Sequence, residues 1–273
     1  MTSYKKSQKE FSRDVYEAFE AIGVTNNMIH RRRHDHLLEE TIETTRMKLK
    51  GISVSHFIVG SQVEGSTTIG MISDTDTVIR YGYQVVLKLG AWREGKVNLL
   101  AFKDKTTPPQ FYKLCRLQPT PDGRQEYMRV PLHETDVVDK QGRVLVSNMF
   151  ADNYFKSDFE KLGNNRFVRH GPSRSCTDEL DMVLALPCHD LPEECEFLFT
   201  MSRPGHWPKS ETLQYARHCQ VFFIAQGHPH SPLNERNLQW RLSTSLAERK
   251  LMFDFTEEQM LVFILLKMLK IIL

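Results

Sequence analysis

The chain has 273 residues, a length that fits one large domain or two lobes and allows a substantial hydrophobic core. Its 36 Lys and Arg nearly balance its 34 Asp and Glu, and hydrophobic residues make up 40%, which excludes a disordered chain and a polycationic nucleic-acid-binding tail. The five cysteines are an odd number in a chain too long to need disulfide staples. We therefore expect reduced thiols and an intracellular protein.

Neither terminal region predicts export or membrane anchoring. Residues 1–11 are polar and charged where a secretory signal would need an apolar segment. The apolar residues 260–266 are followed by Lys267 and Lys270 and fall short of the ~20 residues that span a bilayer. We predict a cytoplasmic protein without a membrane partner, in which residues 260–266 belong to a core helix.

The N-terminal region predicts two helices. Residues 7–49 are rich in helix formers, contain no proline, and are interrupted only around residues 23–27. In the second helix one stripe consists of Leu38, Ile42, Thr45 and Leu49, and we expect it to pack on an apolar surface. Acidic residues surround residues 31–33, three consecutive arginines, which favours a solvated face over a phosphate-binding patch.

After Gly51 the sequence changes to short β-branched and apolar runs that predict strands. They are residues 55–59, 75–83, 84–89, 97–102, 144–146, 180–186 and 221–225. Turn-forming residues at 108–109, 119–123 and 139–142 predict a less regular stretch between the strands at residues 97–102 and 180–186. Thr256 and Gln259 have the spacing of a capping box before the last helix. The pattern as a whole predicts an α+β protein with a mixed sheet.

Residues 60–76 carry the most informative chemistry. Gly60 and Ser61 follow an apolar strand, where a glycine lets the backbone approach a phosphate and a hydroxyl adds a donor. Asp74 and Asp76 are two residues apart in an extended run, so both carboxylates project from one strand face. Hard oxygen ligands of this kind suit Mg²⁺ or Mn²⁺.

A third acid, Asp181, heads a later apolar strand and could complete a metal site with the first two. Each signal has an ordinary interpretation by itself, because an Asp-x-Asp pair is more typical of a turn or a solvated edge. The Gly-Ser bend, the paired acids and the later strand-borne acid together predict the active-site strands of a nucleotidyltransferase.

Four segments also resemble one known family. They are residues 60–76 (GSQVEGSTTIGMISDTD), 170–187 (HGPSRSCTDELDMVLALP), 206–208 (HWP) and 239–252 (QWRLSTSLAERKLM). These segments are similar to the Mab-twenty-one nucleotidyltransferase family, which includes cyclic GMP-AMP synthase and the receptors similar to it. The resemblance implies a nucleotidyltransferase-type mixed sheet at residues 51–250, a long spine helix within residues 1–50, and a partial C-terminal helical lobe beginning at residues 251–273.

The resemblance also implies roles for particular residues. Gly60 and Ser61 match the pair that holds a triphosphate, and the three aspartates match the family's metal-binding and catalytic acids. Positions that contact a bound nucleotide match Arg241, Ser243, Ser245 and Lys270. Side-chain chemistry alone leaves a second interpretation open, in which Arg241 pairs with Glu248 at the edge of the core. The implied reaction makes a cyclic dinucleotide from ATP, GTP or both, with Mg²⁺ or Mn²⁺ as cofactor.

The sequence departs from the family in two places. The zinc-binding insertion of the vertebrate DNA sensor is missing after Ser245, and we expect no zinc, because the remaining Cys and His residues lack zinc-knuckle spacing. If a nucleic acid activates the chain, the resemblance to the invertebrate receptors of this family implies double-stranded RNA, read by shape and phosphate contacts. The family's later helices are also missing, so we expect the apolar face of residues 260–266 to be exposed or covered by another chain. The alternative function is a noncatalytic nucleotide-binding or interaction protein of the same family.

Overall fold

A computed structural model describes residues 2–68, 71, 73–91, 97–161, 168–175, 177, 179–203 and 207–272. Parts of the quoted motifs lie outside these residues, namely Ile69, Gly70, Ile72, Cys176, Asp178 and His206. The described residues form a mixed α+β structure with a large mixed sheet and long N-terminal helices. The predicted α+β class is confirmed.

Nine α-helices occur in the described ranges. They are α1 (Thr2–Ala21), α2 (Asn26–Leu49), α3 (Ser61–Glu64), α4 (Phe150–Lys161), α5 (Phe197–Thr200), α6 (Ser210–Arg217), α7 (Leu233–Arg236), α8 (Ser245–Phe253) and α9 (Glu257–Ile272). Short 3-10 helices are Leu89–Ala91 and Glu193–Cys195. None of the helices in the described part of the chain combines the length and the apolar character needed to cross a bilayer.

The strands of the described residues join one sheet. They are β1 (Ser55–Val59), β2 (Thr75–Arg80), β3 (Gln84–Val86), β4 (Asn98–Phe102), β5 (Phe111–Pro119), β6 (Gln125–Tyr127), β7 (Val137–Val138), β8 (Val144–Leu145), β9 (Val168–His170), β10 (Ser173–Ser175), β11 (Leu180–Cys188), β12 (Val221–Ile224) and β13 (Gln239–Ser243). The main order is β1-β2-β11-β12-β13-β5-β4-β3. The pairs β2–β11, β3–β4 and β3–β11 are parallel, and the other pairs are antiparallel.

The two faces of the sheet are packed differently. One face carries the larger core, where Phe155 of α4 packs on residues such as Leu184 and Trp240. The indole Nε1 of Trp240 donates a hydrogen bond of 2.8 Å to a backbone carbonyl, which satisfies its buried polar atom. The opposite face carries a smaller cluster that includes Val78 and Val183 and packs against α8.

Helices from the two ends of the chain share a third cluster. Phe19 of α1 and Ile29 of α2 pack in one cluster with Met260 and Ile264 of α9. The predicted capping box begins α9, since Gln259 Oε1 accepts from the backbone N–H of Thr256 at 2.9 Å, and the Thr256 hydroxyl accepts in return from that of Gln259. The helix buries one face in the core, while exposed apolar residues on it are Val262, Leu266 and Leu269.

The packing face of α2 differs from the predicted stripe. Leu38 is 50% exposed and Leu49 is 84% exposed, so that stripe faces outward. The face turned toward β1 presents polar groups: Glu40 accepts from the backbone N–H of Ile58, and Thr44 accepts from that of His56, each at 2.9 Å.

The reason is that β1 is an edge strand whose outward N–H groups need partners. Arg249 of α8 completes this cover, because its Nη1 donates to Ile58 O at 2.7 Å and to the Glu40 carboxylate at 2.6 Å. A polar helix face therefore satisfies the sheet edge, where an apolar stripe would leave backbone groups unpaired.

The central strand β5 was not predicted from the sequence. It pairs with β13 on one side and β4 on the other, within the region interpreted as turns. Its charged residues are buried with partners: Arg116 lies 2.7 Å from Asp136, and Lys113 lies 2.8 Å from Asp104. Because these ion pairs allow charged residues to be buried, the strand lacks the continuous apolar run by which a buried strand is usually predicted.

Candidate functional site

A glycine bend joins β1 to the short helix α3. Gly60 has φ 78° and ψ −165°, a conformation that essentially requires glycine. A Cβ atom added to Gly60 would lie 2.5 Å from Oδ2 of Asp76, closer than any normal contact. The bend therefore brings its backbone directly against this carboxylate, and Ser61 begins α3 beside it.

Two of the predicted acids lie side by side on neighbouring strands. Strands β2 and β11 run parallel, with Asp76 opposite Asp181, so their side chains share one face of the sheet. Asp74 immediately precedes β2 and is exposed, two residues from Asp76. The structure brings the Gly60 bend and the three acids to one end of these strands.

The carboxylate of Asp76 has a perturbed pKa. Burial first, and then the negative charges of Asp74 and Asp181, raise its pKa from the ordinary 3.8 to about 6. Among the described residues no group donates a hydrogen bond to this carboxylate, although half-buried carboxylates normally accept several. A cation beside Asp76 would relieve both the desolvation and the repulsion.

Asp181 is held by two serine hydroxyls. Ser173 Oγ donates to Asp181 Oδ2 at 2.8 Å, and Ser175 Oγ donates to the other carboxylate oxygen. Both serines are buried on β10, while Arg174 between them faces the other way and lies 2.7 Å from Asp152. Sequence reasoning missed these serines, although their period-two spacing before a strand was a usable signal.

The described residues contain no group of three or more His, Cys, Asp or Glu side chains already arranged to hold a metal ion. The donor set nevertheless fits Mg²⁺ or Mn²⁺, since Asp76 offers a carboxylate without a hydrogen-bond partner and two more carboxylates raise its pKa. Asp181 differs because serine hydroxyls already occupy both of its oxygens. Each of these oxygens accepts one hydroxyl and keeps a further lone pair for a cation.

The predicted base-contacting residues line a cavity of about 630 Å³. Arg241, Ser243 and Ser245 all contribute to it, and the two serine hydroxyls lie 2.6 Å apart. Arg241 pairs in register with Ile224, which pairs with Ala185, so it shares the sheet face of Asp181. Relative to Asp181, Arg241 lies two strands away across the sheet and is displaced by four residues, about 13 Å, along the strand direction. None of the three acids lines this cavity.

The alternative interpretation, in which Arg241 pairs with Glu248, can be compared with the structure. Burial lowers the pKa of Arg241, and the charge of Glu248 opposes this shift. Among the described residues, however, the two form no ion pair, and Glu248 Oε1 accepts instead from the Thr244 hydroxyl at 2.7 Å. The guanidinium therefore remains available to a ligand in the cavity.

Lys270 lies at the exposed end of α9, where it makes no hydrogen bond or ion pair with a described residue. Lys267, one turn earlier, donates to the hydroxyl of Ser66 at 3.1 Å, just after α3. Burial lowers the pKa of Lys267, and the charge of Glu64 opposes this shift. The fold thus brings Lys267 to the residues that follow α3, a placement that the sequence did not predict.

One arginine of α2 is hydrogen-bonded to the C-terminal end of α3. Arg33 is buried, contrary to the solvated face predicted for residues 31–33, and its Nε donates to Glu64 O at 3.0 Å. Its Nη atoms donate to Met252 O at 3.1 Å and Phe253 O at 3.4 Å, at the end of α8. The side chain therefore links three helices around the bend.

Comparison of the chain with models of known protein families and with curated proteins finds no match. The family suggested by the four motifs therefore stays a prediction. The structure places the three acids at one glycine bend, and it places Arg241, which lines a separate cavity, on the sheet face of Asp181.

Proposed function

We propose that the chain is a metal-dependent nucleotidyltransferase that makes a cyclic dinucleotide from ATP, GTP or both, like the cyclic GMP-AMP synthase-like receptors. The observation that carries this proposal is the carboxylate of Asp76. It is half-buried, lacks a hydrogen-bond donor among the described residues, faces two like charges, and touches the Gly60 bend. Without a cation this arrangement only destabilises the fold.

The proposed roles follow from the placement of each residue. Asp74, Asp76 and Asp181 would hold Mg²⁺ or Mn²⁺, and the bound metal would offset the charge that develops on a reacting phosphate. The absence of a side chain at Gly60 lets the backbone lie against the Asp76 carboxylate, and the Ser61 hydroxyl at the start of α3 would donate to phosphate oxygens. Lys267, which contacts Ser66 after α3, would add positive charge near the phosphates. We also propose that Lys270 contacts the nucleotide, as the family resemblance implies.

The cavity lined by Arg241, Ser243 and Ser245 would hold a nucleobase. A guanidinium and two hydroxyls offer donors and acceptors to the edge of a base, and the half-buried site strengthens these bonds. Arg241 shares the sheet face of the acids, so a nucleotide that reaches from the metal site to Arg241 would run along that face. We further propose the nucleotidyltransferase type for the sheet.

The deciding experiment is a product assay. The chain is incubated with ATP, GTP and Mn²⁺ or Mg²⁺, with and without double-stranded RNA, and the mixture is analysed by liquid chromatography for a cyclic dinucleotide. We expect product from wild type and from Asp35→Asn, whose carboxylate is exposed on α2. We expect Asp76→Asn to lose activity by at least about 100-fold. Product yield independent of Asp76 would refute the assignment.

The second candidate, a noncatalytic nucleotide-binding protein, has one observation in its favour. Both oxygens of Asp181 are held by serine hydroxyls, which suits an acid with a structural role. Isothermal titration with ATP distinguishes the two. If wild type and Asp181→Ala bind ATP equally well with and without Mg²⁺ and neither makes product, the noncatalytic function is supported. An affinity that rises with Mg²⁺ in wild type alone supports the enzyme.

A further inference from the structure

A separate cavity lies on the sheet face opposite to the three aspartates. Its volume is about 370 Å³, within the roughly 300–1,000 Å³ typical of small-molecule sites. Its floor includes Thr77 of β2 and Met182 of β11, which directly follow Asp76 and Asp181 in sequence. Because successive residues of a strand face opposite sides, the cavity is not part of the candidate active site.

The walls of this cavity are largely apolar. Met47 of α2 and Phe155 of α4 close it against the sheet, and the floor adds Ile58, Ile79 and Met182. Such a lining suits a ligand with an apolar body, because moving that body from water into the cavity lowers the free energy.

One polar atom in this lining has no partner. His56 lines the cavity, and its ring Nε2 is buried without a hydrogen bond in the described structure. Burial is the main cause that lowers the pKa of His56, so the imidazole is neutral at pH 7 and its Nε2 can donate or accept. A ligand hydroxyl at this position would satisfy the atom.

The mouth of the cavity is acidic. Three glutamates of α2 line it, and arginines pair with two of them, so one negative charge remains without an arginine partner in the described part of the chain. Arg46 lies 2.7 Å from Glu43, and Glu40 is held by the arginine that covers the edge of β1. The carboxylate of Glu39 lies 3.3 Å from His36 Nδ1, a group charged only when protonated. The mouth therefore favours a positively charged ligand.

We propose that this cavity binds a small organic cation, an amine carried on an apolar body with a hydroxyl group that bonds to His56. The amine would lie toward Glu39, which has no arginine partner among the described residues, and the apolar body would lie over Ile58 and Met182. A nucleotide phosphate is disfavoured at this site, since it would meet the net negative charge of the mouth.

Three probe compounds separate the parts of the proposal. Tyramine carries an ammonium group, an aromatic ring and a hydroxyl, phenethylamine lacks the hydroxyl, and phloretate carries a carboxylate in place of the ammonium. Binding at millimolar concentrations is followed by the methyl resonances of isotopically labelled methionines. Met47 and Met182 line the cavity, whereas Met252 and Met260 belong to the separate helical cluster and report the integrity of the fold.

We expect tyramine to shift the resonances of Met47 and Met182 in a saturable way and to leave those of Met252 and Met260 unchanged. Phenethylamine should bind about two- to tenfold more weakly, because it cannot bond to the imidazole. Phloretate should bind more weakly than either amine.

Two variants test the assigned residues. His56→Leu should remove the difference between tyramine and phenethylamine, and Glu39→Gln should weaken tyramine binding up to about fivefold. The matched control is Glu17→Gln, an exposed acid of α1, which should change nothing. The proposal is overturned if no probe shifts Met47 and Met182, if phloretate binds as tightly as tyramine, or if the tyramine advantage persists in His56→Leu.

Discussion

The perturbed carboxylate of Asp76 leads to a prediction about stability that needs no substrate. Its pKa is raised from 3.8 to about 6. A shift of about two units corresponds to about 3 kcal/mol at about 1.36 kcal/mol per unit. Asp76 is half-buried, and solvent screening reduces this value, so we expect about 1 to 2 kcal/mol.

The sign follows from the direction of the shift. The folded state holds the proton of Asp76 more tightly than the unfolded state, so ionisation opposes folding. This destabilisation is absent below about pH 4, grows between about pH 4 and 6, and is complete above about pH 6. An asparagine cannot ionise, so Asp76→Asn should be more stable than wild type at pH 7 by about 1 to 2 kcal/mol and nearly equal to it at about pH 4.

The assay is urea denaturation followed by tryptophan fluorescence at these two pH values, since Trp240 is fully buried. Asp35→Asn on the exposed face of α2 is the control and should show no such pH-dependent gain. Added Mn²⁺ should stabilise wild type at pH 7 and not Asp76→Asn. A variant that is less stable than wild type at pH 7, or a difference that is the same at both pH values, would refute the reasoning.

Two further substitutions test the geometry of the bend. Gly60→Ala should lower the free energy of unfolding by about 1 to 3 kcal/mol, because its backbone conformation is restricted to glycine and its new methyl group meets Asp76. Gly90→Ala, where the space is open, should change it by less than about 0.5 kcal/mol in thermal denaturation. Arg33→Met should cost about 2 to 4 kcal/mol, since three backbone carbonyls lose their donor. Arg31→Met, on an exposed side chain, is its control, and equal melting temperatures for these two variants would contradict the assigned role of Arg33.

Several local features could be predicted from the sequence because they depend on few neighbouring residues. The capping box at Thr256 and the strand at residues 55–59 follow from side-chain chemistry and apolar alternation. The proximity of Asp74 to Asp76 also follows from their spacing of two residues. Neighbouring residues cannot specify the partner of a strand, so the position of Asp181 opposite Asp76 required the parallel pairing of β2 with β11.

The failed predictions share a cause. The inward face of α2 was misassigned because an edge strand needs hydrogen-bond partners, and a helix that supplies them buries Glu40 and Thr44 instead of leucines. Strand β5 was missed because its arginine is paired with an aspartate twenty residues away in sequence, which makes burial of the charge tolerable. In both cases a remote partner overrides the local hydrophobic pattern.

The sequence by itself determined the α+β class, the glycine bend and the identity of the acids, because backbone preference and side-chain chemistry are local properties. Only the tertiary structure decided that Lys267 contacts Ser66 after α3, that two serines hold Asp181, and that a cavity lies beneath the acid-bearing strands. These features depend on strand register and on contacts between segments far apart in the chain. Such contacts form when the whole core packs, and no short stretch of sequence encodes them.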